Sequence, residues 1–132
     1  MNFKLHIHES PDGIEGTFEA HENEKRIGSC KFNYNTEFEK AYIHDIEVTE
    51  GNERKGLGRA LIEKTENHLI SKRIKYVNGM AVALKPSTIS KDDLKHWWEK
   101  MGYMILPSNT SERENYIGHI HKELDPTSRA TQ

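Results

Sequence analysis

Hydrophobic and polar residues alternate through the first third of the chain, which is the pattern of strands that bury one face. Phe3–His8 alternates in this way, and so do Gly13–His21 and Arg26–Tyr34 on either side of the polar segment Glu22–Lys25. The next strand is predicted at Glu39–Thr49. This part of the chain therefore predicts four strands, of which the second and third form a hairpin.

The rest of the chain combines helices with strands. Leucines at helical spacing supply the apolar stripe of a helix that is predicted from Gly58 to about Ser71. A second helix is predicted after Ser90, which can cap its start, and Gly102 ends it. Further strands are predicted at Tyr76–Leu84, from Met101 or Tyr103 to Leu106, and at Tyr116–Lys122.

Composition limits the size and the class of the protein. The 132 residues, with a mass of 15.3 kDa, can form one hydrophobic core but not two. Hydrophobic residues make up 34% and charged residues 30%, and no segment predicts a membrane span. The absence of a signal-peptide pattern and the single cysteine, Cys30, favour a cytoplasmic protein without an internal disulfide. A net charge of −2 does not favour nucleic-acid binding.

Two glycines stand at the start of the first predicted helix, in the segment Gly56-Leu57-Gly58. Backbone can pass close to a ligand there, and the N–H groups of a first helical turn have no partner within the helix. Together with the positive end of the helix dipole, these N–H groups form a receptor for phosphate. Arg54, Lys55 and Arg59 add positive charge nearby. The segment therefore predicts a site for a phosphorylated cofactor.

The spacing of these glycines differs from two common nucleotide-binding motifs. Leu61 stands where a Rossmann fingerprint needs its third glycine, and no P-loop run occurs. The region instead resembles motif A of the GNAT superfamily of acetyl-CoA-dependent N-acetyltransferases. The resemblance consists of the strand at Ile43–Val48, the polar turn after it and the segment from Glu53 to Leu61. Glu53 departs from that motif, which usually has Arg or Gln there, and the neighbouring Arg54 and Lys55 supply the basic character.

A second segment, from Leu94 to Ile105, resembles motif B of the same family, and the resemblance covers roughly Phe38 to Leu124. The elements and the resemblance together predict an α/β (α+β) fold. It is a GNAT-like, mixed and mostly antiparallel sheet of about six to seven strands, flanked by two main helices on its faces. We expect one domain over residues 1–124 and a flexible tail over residues 125–132.

The resemblance implies that acetyl-CoA, or coenzyme A, is the cofactor. In this family the strand before motif A separates from its neighbour, and its free backbone groups bind the pantetheine arm. Here that role falls to Ile46, Glu47 and Val48, with an N–H near Ile46 polarising the thioester carbonyl. Trp98 packs at the edge of the cofactor, and a side chain at Gly58 is expected to obstruct the phosphates. The phosphates lie against Arg54, Lys55, Gly56, Leu57, Gly58, Arg59 and Ala60.

The candidates for a general base lie on the strand that precedes motif A. Strict alternation predicts two faces, one with Tyr42, His44, Ile46 and Val48 and the other with Ile43, Asp45 and Glu47. His44 matches the position of a catalytic histidine in serotonin-type acetyltransferases, and imidazole titrates in the useful range. We predict His44 as the base, with Asp45, Glu47 or solvent as alternatives.

The family often uses the tyrosine of motif B as its general acid. Trp98 stands at that position, and an indole N–H cannot serve as a practical acid. Either Tyr103, Tyr116 or water is expected to act instead, or the protein has no dedicated general acid. Lys91 likewise replaces an asparagine that contacts pantetheine in the family.

Only a turn, at Glu9–Gly13, fits between the first two predicted strands, where the family usually has one or two helices that wall the acceptor pocket. We therefore expect an open acceptor side that suits a projecting amine. A protein lysine, a protein N-terminus or one end of a polyamine has that form. A homodimer would rebuild the pocket.

The predicted function is transfer of acetyl from acetyl-CoA to a primary amine by direct attack in a ternary complex. The alternatives are a non-catalytic acyl-CoA-binding module and a phosphate- or nucleotide-binding domain of another class. Two pairs of histidines, His6 with His8 and His119 with His121, lie on strands that are predicted far apart in the sheet, so no metal site is predicted. Cys30 is expected in or near the core, without a nucleophilic role.

Overall fold

The computed structural model describes residues 1–49, 56–82, 91–106 and 116–124, and of residues 81, 82, 91, 116 and 117 it describes the backbone alone. Each predicted element is present. The predicted cap Ser90, the tail at residues 125–132 and the motif A residues Glu53, Arg54 and Lys55 lie outside the described residues. The elements are β1 (Asn2–Ser10), β2 (Gly13–Glu22), β3 (Lys25–Asn35), β4 (Lys40–Val48), α1 (Leu57–Ser71), β5 (Tyr76–Val82), α2 (Lys91–Lys100), β6 (Met104–Leu106) and β7 (Tyr116–Glu123).

The strands form one sheet in the order β1-β2-β3-β4-β5-β7-β6. Neighbouring strands are antiparallel except β4 and β5, which are parallel and are connected through α1. The prediction of a mixed, mostly antiparallel sheet is confirmed. β1 with His6 and His8 lies at one edge, and four strands lie between it and β7 with His119 and His121.

A tight turn joins the first two strands. Only Pro11 and Asp12 separate β1 from β2, because Ser10 already pairs with Gly13. Gly13 has a φ of 141°, a conformation that favours glycine. No helix lies between β1 and β2, as predicted, so the helices that the family resemblance implies at this point of the chain are replaced by a turn.

The two predicted helices are present, and both pack on the same face of the sheet, an arrangement that the sequence did not specify. The hydroxyl of Tyr103, just after α2, donates to the carboxylate of Glu66 in α1 at 2.7 Å. A Cβ atom placed on Gly58 in α1 would lie 3.0 Å from the Trp97 ring in α2. Two right-handed crossover connections that proceed across a sheet in the same direction place their helices on the same side, which accounts for the arrangement.

The side of the sheet under the helices, which we call the covered face, contains the hydrophobic core. One row of paired residues on this face crosses five strands and consists of Phe32, Ile43, Gly79, Ile120 and Ile105. Leu61, Ile62 and Leu69 of α1 pack against it and are buried. Burial of apolar area stabilises the fold on this side at roughly 25 cal/mol per Å².

The opposite side, which we call the open face, is polar and no described helix covers it. The neighbouring row of paired residues consists of Asn33, Tyr42, Asn78, His121 and Met104. Histidines are concentrated on this face: His6, His8, His21, His44, His119 and His121. Within the ranges that the structure describes, no helix is long and apolar enough to cross a membrane.

Both helices end in the same way. After α2, Gly102 has a φ of 91°, its N–H donates to the carbonyl of Glu99, and the N–H of Tyr103 donates to the carbonyl of Trp98. This pattern is a Schellman cap, and it confirms the predicted role of Gly102. Arg73 has the corresponding left-handed φ of 62° after α1.

Candidate active site

The two parallel strands in the middle of the sheet separate along their length. β4 and β5 pair from Lys40 with Tyr76 to Ile43 with Gly79, and no pair follows although both strands continue. A Cβ atom on Gly79 would lie 2.8 Å from the carbonyl oxygen of Ile43, so glycine permits the close approach just before the strands separate. Beyond Ile43, the edge of β4 that faces β5 has no strand partner among the described residues. The separation that the resemblance implies is therefore present.

A β-bulge in β4 lies at the point of separation. Asp45 pairs with Lys31 but Ile43 pairs with Phe32, so His44 is the extra residue on β4. Ile46 therefore lies opposite the buried Cys30, on the same face as Ile43. The predicted grouping of Ile46 and Val48 with Tyr42 and His44 is wrong, because a bulge reverses the alternation. Ile46 and Val48 pack against the core.

His44 lies on the open face at the point where β4 leaves β5. Its side chain is exposed, and its ring centroid is 4.8 Å from that of Tyr42. Nε2 of the ring is 2.7 Å from Oδ1 of Asn33 on β3. The bulge thus leaves an exposed imidazole on the open face at the level where β4 and β5 separate, and a hydrogen bond to the neighbouring strand β3 holds it.

Two carboxylates follow His44 on the same strand. Burial of Asp45 raises the pKa of its carboxyl above the ordinary value, and the negative charge of Glu47 raises it further. The same pKa is lowered by three other influences: the charge of Lys31, the charge of His44 and a hydrogen bond with the backbone of Ile46. The two carboxylates therefore give the region beside the opening a negative potential.

At the start of α1, backbone N–H groups lack an acceptor within the part of the chain that the structure describes, as a phosphate site requires. Gly56 caps the helix with φ 70° and ψ 15°, no side chain caps it, and the first turn holds no acidic residue. The first helical hydrogen bond runs from the N–H of Ala60 to Gly56 at 3.1 Å. The N–H groups of Leu57, Gly58 and Arg59 consequently have no acceptor among the described residues.

The two glycines at this helix start differ in their surroundings. A Cβ atom on Gly56 would meet nothing within 4 Å, so the approach to the helix is open there. A Cβ atom on Gly58 would lie 3.0 Å from Cζ2 of Trp97. A side chain at position 58 would therefore require the Trp97 ring to move by a few tenths of an ångström, so a substitution there acts on helix packing as well as on any ligand. The side chain of Arg59 pairs with Glu63 at 3.1 Å.

Trp98 is packed into the core beside this region. Only 3% of the residue is exposed, and its ring meets those of Trp97 and Tyr103 edge to face, with centroids 4.9 Å and 5.0 Å away. Its Nε1 is buried and has no hydrogen-bond partner among the described residues. Such a donor lacks the solvation it has in water, and a bound molecule with an acceptor would relieve that cost.

Tyr103, the predicted general acid, lies in a buried polar cluster. Its hydroxyl donates to Glu66, whose two carboxylate oxygens also lie 3.0 Å and 3.1 Å from Nζ of Lys122. Lys122 further donates to the carbonyl of Met101 at 2.7 Å. Tyr103 as the acid stays a prediction, and a hydroxyl held by a buried carboxylate argues for a structural role. Tyr116, the other tyrosine considered, has no described side chain.

The sequence analysis missed Asn33, and it also missed the cluster around Glu66. Asn33 meets His44 only through the register of β3 on β4. Glu66 and Lys122 are far apart in sequence and lie on different elements. One signal for the bulge was present, because Ile43 and Ile46 are three residues apart and strict alternation separates apolar residues by two.

The remaining candidates are the single cysteine and the paired histidines. Burial raises the pKa of the Cys30 thiol to about 12, so the prediction of a core cysteine is confirmed and the thiolate is scarce. No group of three or more histidine, cysteine or acidic side chains in the described ranges is arranged to hold a metal ion.

The described parts of the site fit coenzyme A. Within the described ranges, β4 has an edge without a strand partner, α1 begins with N–H groups that lack an acceptor, and the approach at Gly56 is open. These features correspond to what a pantetheine arm and a pyrophosphate require. Arg54 and Lys55, predicted to add charge, lie outside the described residues.

Comparison with solved structures gives the same fold at low sequence identity. An acetyltransferase from Bacillus cereus has a TM-score of 0.69 and 16% identity, over 83% of this chain and 73% of that one. The ribosomal-protein-S18-alanine N-acetyltransferase of Escherichia coli has a TM-score of 0.62 and 20% identity, over 83% and 68%. An aminoglycoside 6′-N-acetyltransferase complexed with coenzyme A has a TM-score of 0.67 and 14% identity, over 85% and 74%.

Sequence comparison identifies the family directly. No protein of curated function matches the chain. The family described as "Acetyltransferase (GNAT) family" matches residues 3–103, which is most of the chain and includes β1 to α2. The chain therefore belongs to the GNAT acetyltransferase family.

Proposed function

We propose that the protein transfers an acetyl group from acetyl-CoA to a primary amine by direct attack in a ternary complex. One observation carries the proposal: β4 and β5 separate directly after Ile43 and Gly79, with His44 at the same point on the open face. A thioester held along the free edge of β4 would present its carbonyl beside that imidazole. Family membership leaves no support for a nucleotide-binding domain of another class.

The strand and the helix hold the donor in this proposal. Backbone groups of Ile46, Glu47 and Val48 bind the pantetheine arm, and the N–H groups at Leu57, Gly58 and Arg59 bind the pyrophosphate, helped by Arg54, Lys55, Gly56 and Ala60. An N–H near Ile46 stabilises the oxyanion that forms as the amine attacks. Acetyl-CoA supplies an activated acyl group, and positioning supplies much of the rate enhancement.

His44 acts as the general base. A lysine-like ammonium has a pKa near 10.4, so only a small fraction is nucleophilic at neutral pH. His44 takes a proton from the ammonium or from the attacking nitrogen, the new C–N bond forms, and the C–S bond breaks. The thiolate of coenzyme A takes its proton from solvent. Asp45 and Glu47 are the alternatives for the base, and the raised pKa of Asp45 brings its carboxyl closer to the useful range.

The acceptor approaches over the open face. The described structure has no helix between β1 and β2 to close that side, and Asp45 and Glu47 place negative charge near the opening. These features support a cationic amine that projects from a larger molecule, such as a protein lysine or N-terminus, or one end of a polyamine. A cytoplasmic location and a homodimer stay predictions.

The alternative is a non-catalytic acyl-CoA-binding module. Trp98 and Lys91 motivate it, because both replace residues that the family uses otherwise. A binding module would retain coenzyme A and release no thiol from acetyl-CoA, whereas an enzyme would release thiol only when a suitable amine is present.

The test combines binding and turnover. Calorimetry with coenzyme A is followed by thiol release from acetyl-CoA with a panel of lysine peptides, N-terminal peptides and polyamines. We expect His44→Ala to lower kcat by about 10²–10⁴-fold, the usual contribution of a general base, with little change in acetyl-CoA affinity. His8→Ala, which removes another exposed histidine of the open face, is the control. Binding without thiol release for any amine would favour the binding module, and wild-type turnover in His44→Ala would move the base to Asp45, Glu47 or solvent.

A further inference from the structure

A side-chain amide on the open face bonds the ring of His44. Asn33 lies on β3, where its direct partner on β4 is Tyr42. The bulge brings the ring of His44 within reach of this diagonal neighbour, and Nε2 lies 2.7 Å from Oδ1 of Asn33. An amide oxygen only accepts hydrogen bonds, so Nε2 is the donor.

This hydrogen bond selects one form of the neutral ring. When Nε2 carries the hydrogen, the lone pair of the neutral imidazole is on Nδ1. Nδ1 is therefore the atom that accepts a proton. After protonation, the imidazolium keeps its Nε2–H bond to Asn33, so proton uptake does not require the ring to turn.

A second histidine–asparagine pair on the same face is bonded through the other ring nitrogen. Nδ1 of His121 lies 2.7 Å from Oδ1 of Asn78, which leaves the lone pair of the neutral ring on Nε2. The two rings therefore have opposite tautomers, each selected by an asparagine on the neighbouring strand. This second pair provides an internal reference for the first.

We propose that Asn33 is a positioning residue for the general base: its Oδ1 holds His44 in the tautomer that leaves Nδ1 free to take the proton of the acceptor amine. The proposal rests on the proposed function. The proton moves from the amine nitrogen to Nδ1, the imidazolium then releases it to water, and Asn33 exchanges no proton.

The charged groups that face His44 come from two strands. Asp45 and Glu47 lie on β4 itself, and Lys31 lies on β3 opposite Asp45. Tyr42 adds its ring from the same strand. The Asn33 variants leave all of these groups in place, so a change in the pH dependence of kcat is caused by the substitution at position 33.

Nuclear magnetic resonance of the ¹⁵N-labelled histidine side chains tests the tautomer in the protein without ligand. For the neutral ring of His44 we expect a protonated Nε2 and an unprotonated Nδ1. Asn33→Leu should give a mixture of the two tautomers, and Asn33→Asp should keep the wild-type one because a carboxylate also accepts. Asn78→Leu is the matched control, which should change the spectrum of His121 and leave that of His44 unaltered.

Kinetics test the consequence for the base. We expect Asn33→Leu to lower kcat about tenfold, a part of what a general base contributes, with KM for acetyl-CoA unchanged. Asn33→Asp should keep kcat within about twofold at its optimum and move the acid limb of the kcat profile to higher pH, because an added negative charge stabilises the imidazolium. A structural role alone would lower the melting temperature and leave the acid limb in place.

Two results would overturn the positioning role. One is a wild-type His44 protonated at Nδ1, and the other is an Asn33→Leu protein with the wild-type tautomer and the wild-type kcat. A wild-type protein that transfers no acetyl group would overturn the proposed function instead, and the resonance experiment would still decide whether Asn33 sets the tautomer.

Discussion

Two neighbouring rows of the sheet, one on each face, show how differently the two faces are built. The row on the covered face is apolar and consists of Phe32, Ile43, Gly79, Ile120 and Ile105. The row on the open face is displaced by one residue on each strand, is mainly polar and consists of Asn33, Tyr42, Asn78, His121 and Met104. Both rows belong to the same paired strands, and successive side chains of a strand point to opposite faces. The core and the polar side chains around His44 therefore lie on opposite sides of one sheet.

The two faces hold polar groups under different conditions of burial and hydrogen bonding. On the covered face the ionic group Glu66 is fully buried and is held by Lys122 and Tyr103. On the open face the imidazole of His44 has one hydrogen bond to Asn33 and is exposed to solvent. A proton acceptor needs access, whereas a buried charge needs complete pairing.

The largest effect is expected from breaking the ion pair of the covered face. Lys122→Met removes the cation that pairs with Glu66 and leaves a buried carboxylate without it, so the free energy of unfolding should fall by about 3–5 kcal/mol. Urea denaturation measures the change. Lys31→Met removes an exposed lysine of the open face and should change that free energy by less than about 1 kcal/mol. Equal losses in the two variants would contradict the contrast between the faces.

A smaller effect is expected at Tyr103, where the two roles proposed for this residue give different outcomes. Tyr103→Phe removes a hydrogen bond to a charged group and should lower the free energy of unfolding by about 1.5–3 kcal/mol, with kcat of the folded protein unchanged. Tyr76→Phe, which removes a hydroxyl from the open face, should stay within about 0.5 kcal/mol of the wild type. Normal stability with a hundredfold lower kcat, roughly what a lost general acid costs, would identify Tyr103 as the acid.

The smallest effect concerns pH and the histidine of the covered face. Burial lowers the pKa of His68, which packs against Phe18, Phe32 and Tyr34, and the charge of Lys72 lowers it further. The unfolded chain therefore binds a proton at this residue more readily than the folded protein. The contribution of neutral His68 is complete above its unfolded pKa near 6.5 and is lost as the pH falls through and below that value.

Melting temperatures between pH 7.5 and pH 5 measure this dependence. We expect His68→Phe to reduce the fall in melting temperature by a few degrees, because phenylalanine keeps the ring contacts and takes up no proton. His8→Ala on the open face should retain the slope of the wild type. An unchanged slope in His68→Phe would show that other groups cause the acid destabilisation.

Much of the fold could be predicted because its signals are local. Alternation identified the first strands, leucines at helical spacing identified α1, and Gly102 ended α2 with the left-handed φ that glycine favours. The short turn at Pro11 and Asp12 also predicted that no helix would follow β1. The helix arrangement on one face was not predicted, because it depends on contacts such as that between Glu66 and Tyr103.

The site was predicted less completely than the fold. Motif A located the helix start at Gly56 to Gly58, and the family match supports that resemblance. The role of each neighbouring side chain depends on packing. Gly58 lies against Trp97, which spacing in the sequence does not indicate, and the bulge at His44 reversed the predicted faces of Ile46 and Val48.

The sequence by itself determined the order of strands and helices, the glycines at the start of α1 and the polar character of the strand around His44, because these follow from local conformation and periodicity. Only the tertiary structure decided that His44 meets Asn33, that Glu66 meets Lys122, and that α1 and α2 pack on the same face of the sheet. These contacts join residues on different strands and helices, and they depend on a register that a single extra residue in β4 displaces.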